Sequence, residues 1–188
     1  MKGGIKMPNM ITEKDVVNYL KNLEPGFLPL EIFLEMARLN VLTSVEVIPL
    51  KFSKWYNKTQ VLLTKRPEGD TWEGQWHAPG SMMRASDSVS YGHDVSAPLG
   101  RILGDNGELK GTKVIGDPVF VGHERRKTKR GDELSLVYYV EVIGEPNDGE
   151  FFSTDSLLLS TEDRGGVIDH HVVMILEAAR RFESDRSL

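Results

Sequence analysis

Two apolar stripes at helical spacing open the chain, before any strand-like pattern appears. They consist of Val16, Val17, Leu20 and Leu23, and of Leu30, Phe33, Leu34 and Ala37. Thr12, with Asp15 three residues later, is placed to cap the first helix, and Pro25-Gly26 breaks the pattern between the two stripes. The pattern predicts a helical hairpin, an N-terminal appendage over residues 1–40 that packs onto the domain that follows.

From Val41 the hydrophobic pattern changes to one typical of strands. Short apolar runs predict strands at residues 45–48, 61–63, 114–115 and 118–121. Residues 134–142, LSLVYYVEV, give the clearest strand because they are rich in β-branched and aromatic side chains. Residues 167–182 have the pattern of an amphipathic helix. Strands mixed with a few helices, without regular alternation, predict one α+β domain over residues 41–188.

Composition excludes several classes of protein. The 188 residues include no cysteine, which excludes disulfides, zinc–thiolate sites, iron–sulfur clusters and thiol nucleophiles. The lack of cysteine fits a reducing compartment, so we expect a cytoplasmic protein. No apolar run approaches the ~20 residues that cross a bilayer, so we expect no membrane partner. The net charge of −5 argues against a dedicated nucleic-acid binder.

The most distinctive segment runs from Val61 to Asp87. An apolar strand ends in Leu63-Thr64-Lys65-Arg66, and Trp76-His77-Ala78-Pro79-Gly80 follows. Pro79-Gly80 predicts a tight turn, and Gly80 lets another group approach the backbone closely. These two segments resemble the opening of the signature of the Nudix superfamily of pyrophosphohydrolases. With a Phe-Phe-x-x-Asp-x-Leu segment at residues 151–157, the resemblance covers roughly residues 41–182.

The resemblance implies a Nudix-like mixed β-sheet sandwiched by helices. It also implies hydrolysis of a pyrophosphate bond in a nucleoside diphosphate derivative. In the family, paired glutamates on the signature helix bind Mg²⁺ or Mn²⁺ together with the substrate's phosphates. The expected partner is therefore a nucleotide-type small molecule, and the expected cofactor of an active enzyme is Mg²⁺ or Mn²⁺.

The metal-binding half of the signature departs from the family pattern. Aligned without gaps, Asp87 replaces the first glutamate, and Val95-Ser96 and Leu99-Gly100 replace the Arg-Glu and Glu-Glu pairs. With an insertion, Arg101 takes the place of the arginine and Asp105 keeps one carboxylate. Glu108 lies three residues later and could share a helical face with Asp105. The glycines around Asp105 instead predict a helix that ends near Gly104, so the signature is degenerate.

The candidate site residues follow from this resemblance and from local charge. The candidate catalytic carboxylates are Asp87, Asp105, Glu108 and Glu124, of which Asp105 and Glu108 are candidate metal ligands. The candidate substrate-binding residues are Arg66, Trp72, Trp76, Arg84, Arg125 and Arg126. Each has a structural alternative: a core anchor for Trp76, a helix cap for Asp87, and a solvated surface for the arginines. The basic run Arg125–Arg130 predicts a hairpin loop, either over the site or simply solvated.

Two functional hypotheses remain open on the sequence. The first is a Mg²⁺-dependent pyrophosphohydrolase of a nucleoside diphosphate derivative. The second is a non-catalytic nucleotide- or protein-binding module that has lost the metal site, because a fold does not by itself imply an activity. The helical appendage could bury a homodimer interface or cover one side of the core.

Overall fold

The computed structural model describes residues 12–23, 28–84, 87, 95–104, 107–158 and 166–187. The predicted break at Pro25-Gly26 and the candidate ligand Asp105 lie outside these ranges. The helices are α1 (Glu13–Lys21), α2 (Leu30–Leu39), α3 (Ser96–Leu103) and α4 (Asp169–Arg186). The strands are β1 (Val41–Ser53), β2 (Lys58–Lys65), β3 (Trp76–His77), β4 (Gly80–Met82), β5 (Thr112–Lys127), β6 (Asp132–Gly144) and β7 (Glu150–Ser153).

The seven strands form one mixed sheet around β1. The main order is β3-β2-β1-β6-β5, with β4 also paired to β1 and β7 to β2. β1 runs parallel to β6 from Val41↔Asp132 to Leu50↔Glu141 and antiparallel to β2 and β4. A parallel pair needs a long crossover connection, which is why residues 54–131 intervene between these two strands. The predicted α+β class is confirmed.

Helices cover both faces of the sheet, because the alternation of side chains along β1 supplies two apolar faces. Ile48 and Leu50 lie in one hydrophobic cluster with Ile175 and Phe182 of α4. Val45 and Val47 lie in the other, with Ile102 of α3. None of the described helices is long and apolar enough to span a membrane.

The predicted N-terminal helices are present, and they differ in how far they are buried. Thr12 and Asp15 form the reciprocal capping box that starts α1, yet α1 buries none of its residues. In α2, Ala37 is fully buried, and its carbonyl lies against Gly131 at the tip of the β5–β6 hairpin. β1 begins at Val41, directly after α2. The appendage therefore contacts the sheet through α2.

The predicted strands and the last helix are present but longer than predicted. The predicted strand at 134–142 lies within β6, and the last helix spans Asp169–Arg186. The prediction that Arg125–Arg130 is a loop is wrong for its first half, because β5 continues to Lys127. Only Thr128–Gly131 forms the turn. Charged side chains on an outer strand hide the strand pattern, since such a strand needs no apolar alternation to pair.

We expect Gly131→Ala to loosen α2. Gly131 has φ +140° and its added Cβ would overlap the Ala37 carbonyl, so the change should cost about 1–3 kcal/mol. Gly116→Ala is the control, because Gly116 also has a positive φ (+70°) but open space around it. Urea unfolding should show the larger loss for Gly131→Ala, with faster amide exchange in residues 30–39. Equal losses and unchanged exchange would show that this contact does not dock α2.

Candidate active site

The face of the sheet that carries Ile48 and Leu50 becomes polar toward the amino-terminal ends of β1 and β6. Ser44 and Glu46 on β1 are buried, as are Glu133 and Ser135 on β6. The two serine hydroxyls lie 3.0 Å apart. Buried polar groups are costly unless they are hydrogen-bonded, so four of them at one end of the sheet mark a candidate site.

Glu46 is the most constrained of these residues. It is 5% exposed, and its Oε2 has no hydrogen-bond partner among the described residues. Its partner across the β1–β4 ladder is Gly80, and a Cβ at that position would overlap the carboxylate. Burial raises the pKa of Glu46 to about 7, against the opposing effects of the Arg66 guanidinium and a hydrogen bond from Ser44. Gly80 therefore allows the carboxylate to lie across β4.

Glu108 brings a second carboxylate to Gly80 from the turn after α3. It accepts a hydrogen bond from the Thr64 hydroxyl at 3.0 Å and one from the backbone of Gly80. His77 Nε2 lies 3.2 Å from the same hydroxyl and 3.5 Å from the Glu108 carboxylate. Burial is the main cause that raises the pKa of Glu108, and the proximity of Glu108 also raises the pKa of Glu46. Two carboxylates thus face the same glycine.

Three arginines surround these carboxylates, and each is paired with another acid. Arg130 binds Glu133 through Nε and Nη2, at 2.8 and 3.0 Å. Arg66 lies 3.5 Å from Asp70, and Arg126 pairs with Glu124 and donates to the His170 carbonyl. The Nε atoms of Arg66 and Arg126 are buried without a hydrogen-bond partner among the described residues. Unsatisfied charged donors of this kind favour an anionic ligand.

Aromatic rings and neutral histidines form the wall behind the arginines. Trp72 is buried, with His170 edge-on at 5.1 Å and the Arg130 guanidinium 4.6 Å from its ring centroid. His171 accepts a hydrogen bond from the Ala78 amide at 3.2 Å. Burial, reinforced by nearby arginines, lowers the pKa of His77 to about 3 and of His170 to about 4. These imidazoles are therefore neutral near pH 7.

These groups are called the polar cluster below. Its members are Glu46, Arg66, Trp72, His77, Glu108, Arg126, Arg130, Glu133, His170 and His171. The structure brings together four predicted site residues within it: Arg66, Trp72, Glu108 and Arg126. Glu108, with a side chain 37% exposed, lies at its solvent edge.

Asp87 lies in a different set of contacts. Arg101 grips both of its carboxylate oxygens at 2.6 and 2.9 Å, and the Arg84 amide donates to it as well. The Arg101 hydrogen bond holds the pKa of Asp87 below its usual range. Arg101 also donates to Ser81, next to Gly80. These contacts tie α3 to β4, so the structure supports a positioning role for Asp87, while a catalytic one stays a prediction.

α3 does not carry the carboxylates of the family signature. It ends at Leu103, as the glycine at 104 predicted. Ile102, next to Arg101 in the insertion alignment, takes the position of a signature glutamate and is buried in the core. Within the described ranges, no three His, Asp or Glu side chains form a metal-binding group. Glu108 therefore reaches the cluster without the helical partner that the signature predicts.

The remaining candidates lie outside the polar cluster or at its margin. Arg125 is 65% exposed and pairs with Asp132, because strand alternation turns it away from Arg126. Arg84 is exposed. Trp76 packs against Phe152 with Lys65 over its ring, as its core-anchor alternative predicted. Glu124 is only the ion-pair partner of Arg126. Substrate contacts by Arg84, Arg125 or Trp76 stay predictions.

Sequence reasoning missed Glu46, Glu133 and the roles of the histidines. A surface or capping role for His171 is wrong, because its side chain is buried. One signal was available: Glu46 is the only charged residue in the run Val41–Leu50. A charge inside an apolar central strand is rarely buried without a function or a partner.

We expect the stability difference between the native chain and Glu46→Gln to depend on pH. The raised pKa of Glu46, about 7 against its usual 4.5, gives stability that is fully present below pH 4.5 and lost as pH rises through 7. Native stability relative to Glu46→Gln should therefore fall by about 2–3 kcal/mol from pH 5 to pH 8. Urea unfolding of both proteins in EDTA measures this, and a pH-independent difference would contradict it.

Solved structures of other proteins share this architecture. The Nudix domain of Shewanella oneidensis NrtR, solved in complex with ADP ribose, matches with a TM-score of 0.52 at 16% identity, over 91% of this chain and 99% of that one. A MutT/nudix family protein from Listeria innocua matches with a TM-score of 0.53 at 16% identity, over 77% and 96%. A MutT/nudix family protein from Enterococcus faecalis matches with a TM-score of 0.52 at 13% identity, over 92% and 70%.

No protein-family model and no curated protein matches this sequence. The likeness therefore lies in the three-dimensional arrangement of the strands and helices. It places Gly80 and the polar cluster in a mixed sheet covered by helices on both faces. The chain has the Nudix fold.

Proposed function

We propose that the polar cluster binds the diphosphate of a nucleotide-type ligand. The observation that carries the proposal is the pair of buried, unsatisfied Nε donors on Arg66 and Arg126. A buried charged donor without an acceptor costs roughly 1–3 kcal/mol or more, and phosphate oxygens would supply the acceptors. The complex of the NrtR Nudix domain with ADP ribose supports a diphosphate ligand of this class for the shared fold.

The arginines are held in place for such a role. Arg66 is fixed by backbone hydrogen bonds with Gln75 and Gly74 and by its contact with Asp70. Arg126 is fixed by Glu124 and by the His170 carbonyl. A guanidinium already held in one geometry loses little side-chain entropy when a ligand binds. The two cations are therefore pre-organised.

Ligand binding is the function that the described residues support best, with hydrolysis as the second candidate. Ile102 and the end of α3 at Leu103 remove carboxylates that the hydrolytic signature requires. The convergence of Glu46 and Glu108 on Gly80 favours hydrolysis, because paired carboxylates are the groups that would hold a metal or activate water. Incubation with ADP-ribose and Mg²⁺ or Mn²⁺, followed by chromatography of the products, separates the two functions.

The homodimer, the cytoplasmic location and the lack of a dedicated nucleic-acid partner stay predictions of the sequence. Of these, the homodimer has the most direct structural context. α1 exposes Val16, Val17 and Leu20, and sedimentation of the full chain would test whether a second copy covers them.

We expect Arg66→Ala and Arg126→Ala each to weaken ADP-ribose binding at least tenfold. Each removes a charge-assisted hydrogen bond, which contributes about 1.5–3 kcal/mol. Isothermal titration calorimetry of the full chain in Mg²⁺ buffer and in EDTA buffer would measure the affinity. The matched control is Arg125→Ala, because Arg125 neighbours Arg126 on β5 but is exposed.

The control variant should bind ADP-ribose as the native chain does. Equal losses for Arg125→Ala and Arg126→Ala would indicate a diffuse charge effect and contradict the proposal. The absence of saturable binding to the native chain in either buffer would refute it outright.

A further inference from the structure

Two carboxylates of the polar cluster lack an arginine of their own. Arg66, Arg126 and Arg130 pair with Asp70, Glu124 and Glu133, respectively. Neither Glu46 nor Glu108 forms an ion pair with an arginine among the described residues. A buried carboxylate is stable only when another group compensates its charge. The cluster therefore has an unmet demand for positive charge.

Both carboxylates converge on Gly80. Glu46 lies directly opposite Gly80 in the β1–β4 ladder, with its carboxylate where a Cβ would otherwise be. Glu108 accepts a hydrogen bond from the Gly80 backbone. The unpartnered Oε2 of Glu46, buried in a residue that is 5% exposed, is the atom that lies against Gly80. An oxygen with free lone pairs thus faces the place where the second carboxylate arrives.

The hydrogen bonds around Glu108 show the same excess of acceptors. The Nδ1–H of His77 donates to the Ala78 carbonyl at 2.6 Å, since a carbonyl can only accept. His77 Nε2 is therefore an acceptor. The single hydroxyl hydrogen of Thr64 must then serve both His77 Nε2 and the Glu108 carboxylate. One of these acceptors is left without a donor, so an electrophilic partner is missing here too.

We infer that Glu46 and Glu108 bind one divalent cation of the Mg²⁺ class beside Gly80. The cation compensates both carboxylates and satisfies the free Glu46 oxygen. The inference rests on the proposed function only for the cation's other side, which would face the phosphates of the nucleotide-type ligand. Its protein ligands come from β1 and from the turn after α3, so neither lies on the helix that carries the family signature.

The donor set selects the class of metal. Carboxylate and hydroxyl oxygens are hard ligands, which suit Mg²⁺ and Mn²⁺ rather than thiolate- or imidazole-preferring metals. Mg²⁺ is commonly held by one or two carboxylates, with waters and substrate phosphates filling the other positions. The two carboxylates at Gly80 are enough for such a site, even though no group of three His, Asp or Glu converges within the described ranges.

The test uses Mn²⁺ alone, with the full chain and no nucleotide. Titration followed by electron paramagnetic resonance of free Mn²⁺ should show one saturable site per chain. Glu46→Gln and Glu108→Gln should each weaken it at least tenfold, because losing even an indirect supporting partner of a metal costs 10–100-fold. The matched control is Glu177→Gln, a surface glutamate paired with Arg180, which should leave Mn²⁺ affinity unchanged.

Gly80→Ala tests the geometry without removing a ligand. Its methyl group would displace the Glu46 carboxylate, so Mn²⁺ affinity should fall in this variant as well. Circular dichroism and thermal unfolding would establish that each variant is folded. Paramagnetic broadening by Mn²⁺ in the native chain should be strongest at the amides of Thr64, His77 and Gly80, which locates the ion even if a variant does not fold.

Several outcomes would overturn the inference. They are the absence of saturable Mn²⁺ binding at millimolar concentration, affinity unchanged in both glutamine variants, and broadening centred elsewhere. Failure of this site is distinguishable from failure of the proposed function. Mn²⁺ binding without ADP-ribose binding would refute only the proposed ligand. ADP-ribose binding that depends on Arg66 and Arg126, without Mn²⁺ binding, would refute only the cation site.

Discussion

The burial of Glu46 in the central strand is the constraint on which the rest of the site depends. A carboxylate at this depth has no access to bulk water, so every neighbour must either make room for it or offset its charge. Gly80 makes room by lacking a side chain at the paired position. Arg66 and Arg130 lower the electrostatic cost from the surrounding loops. The Trp-x-x-Pro-Gly segment thus has a structural reason here that is independent of any family signature.

Much of the fold could be predicted from the sequence because it is encoded locally. Capping residues at Thr12 and Asp15, the β-branched run in β6 and the amphipathic stripe of α4 each act over a few neighbouring positions. Residues 125–127 were missed as strand because their pairing depends on β6, not on their own side chains. Local patterns report propensity, whereas the extent of a strand is decided by its partner.

The site was less predictable, because its members meet only through long-range pairing. Glu46, Thr64 and Glu108 come from three separate elements that only the sheet brings together. Alternation along β5 then separates two adjacent arginines, directing Arg126 to His170 and Arg125 to solvent. A charge run in the sequence contains no information about which member turns inward until the strand and its register are known.

The loss of the signature carboxylates and the buried glutamate in β1 have a common physical explanation. Ile102 and Leu99 make α3 a core-packing helix, held to β4 through Arg101 and Asp87. A helix anchored in this way cannot also present acids to the sheet. Oxygen ligands near Gly80 must then come from other elements, and β1 and the turn after α3 are the ones that reach it. The same backbone position keeps its acidic surroundings although the residues that provide them have changed.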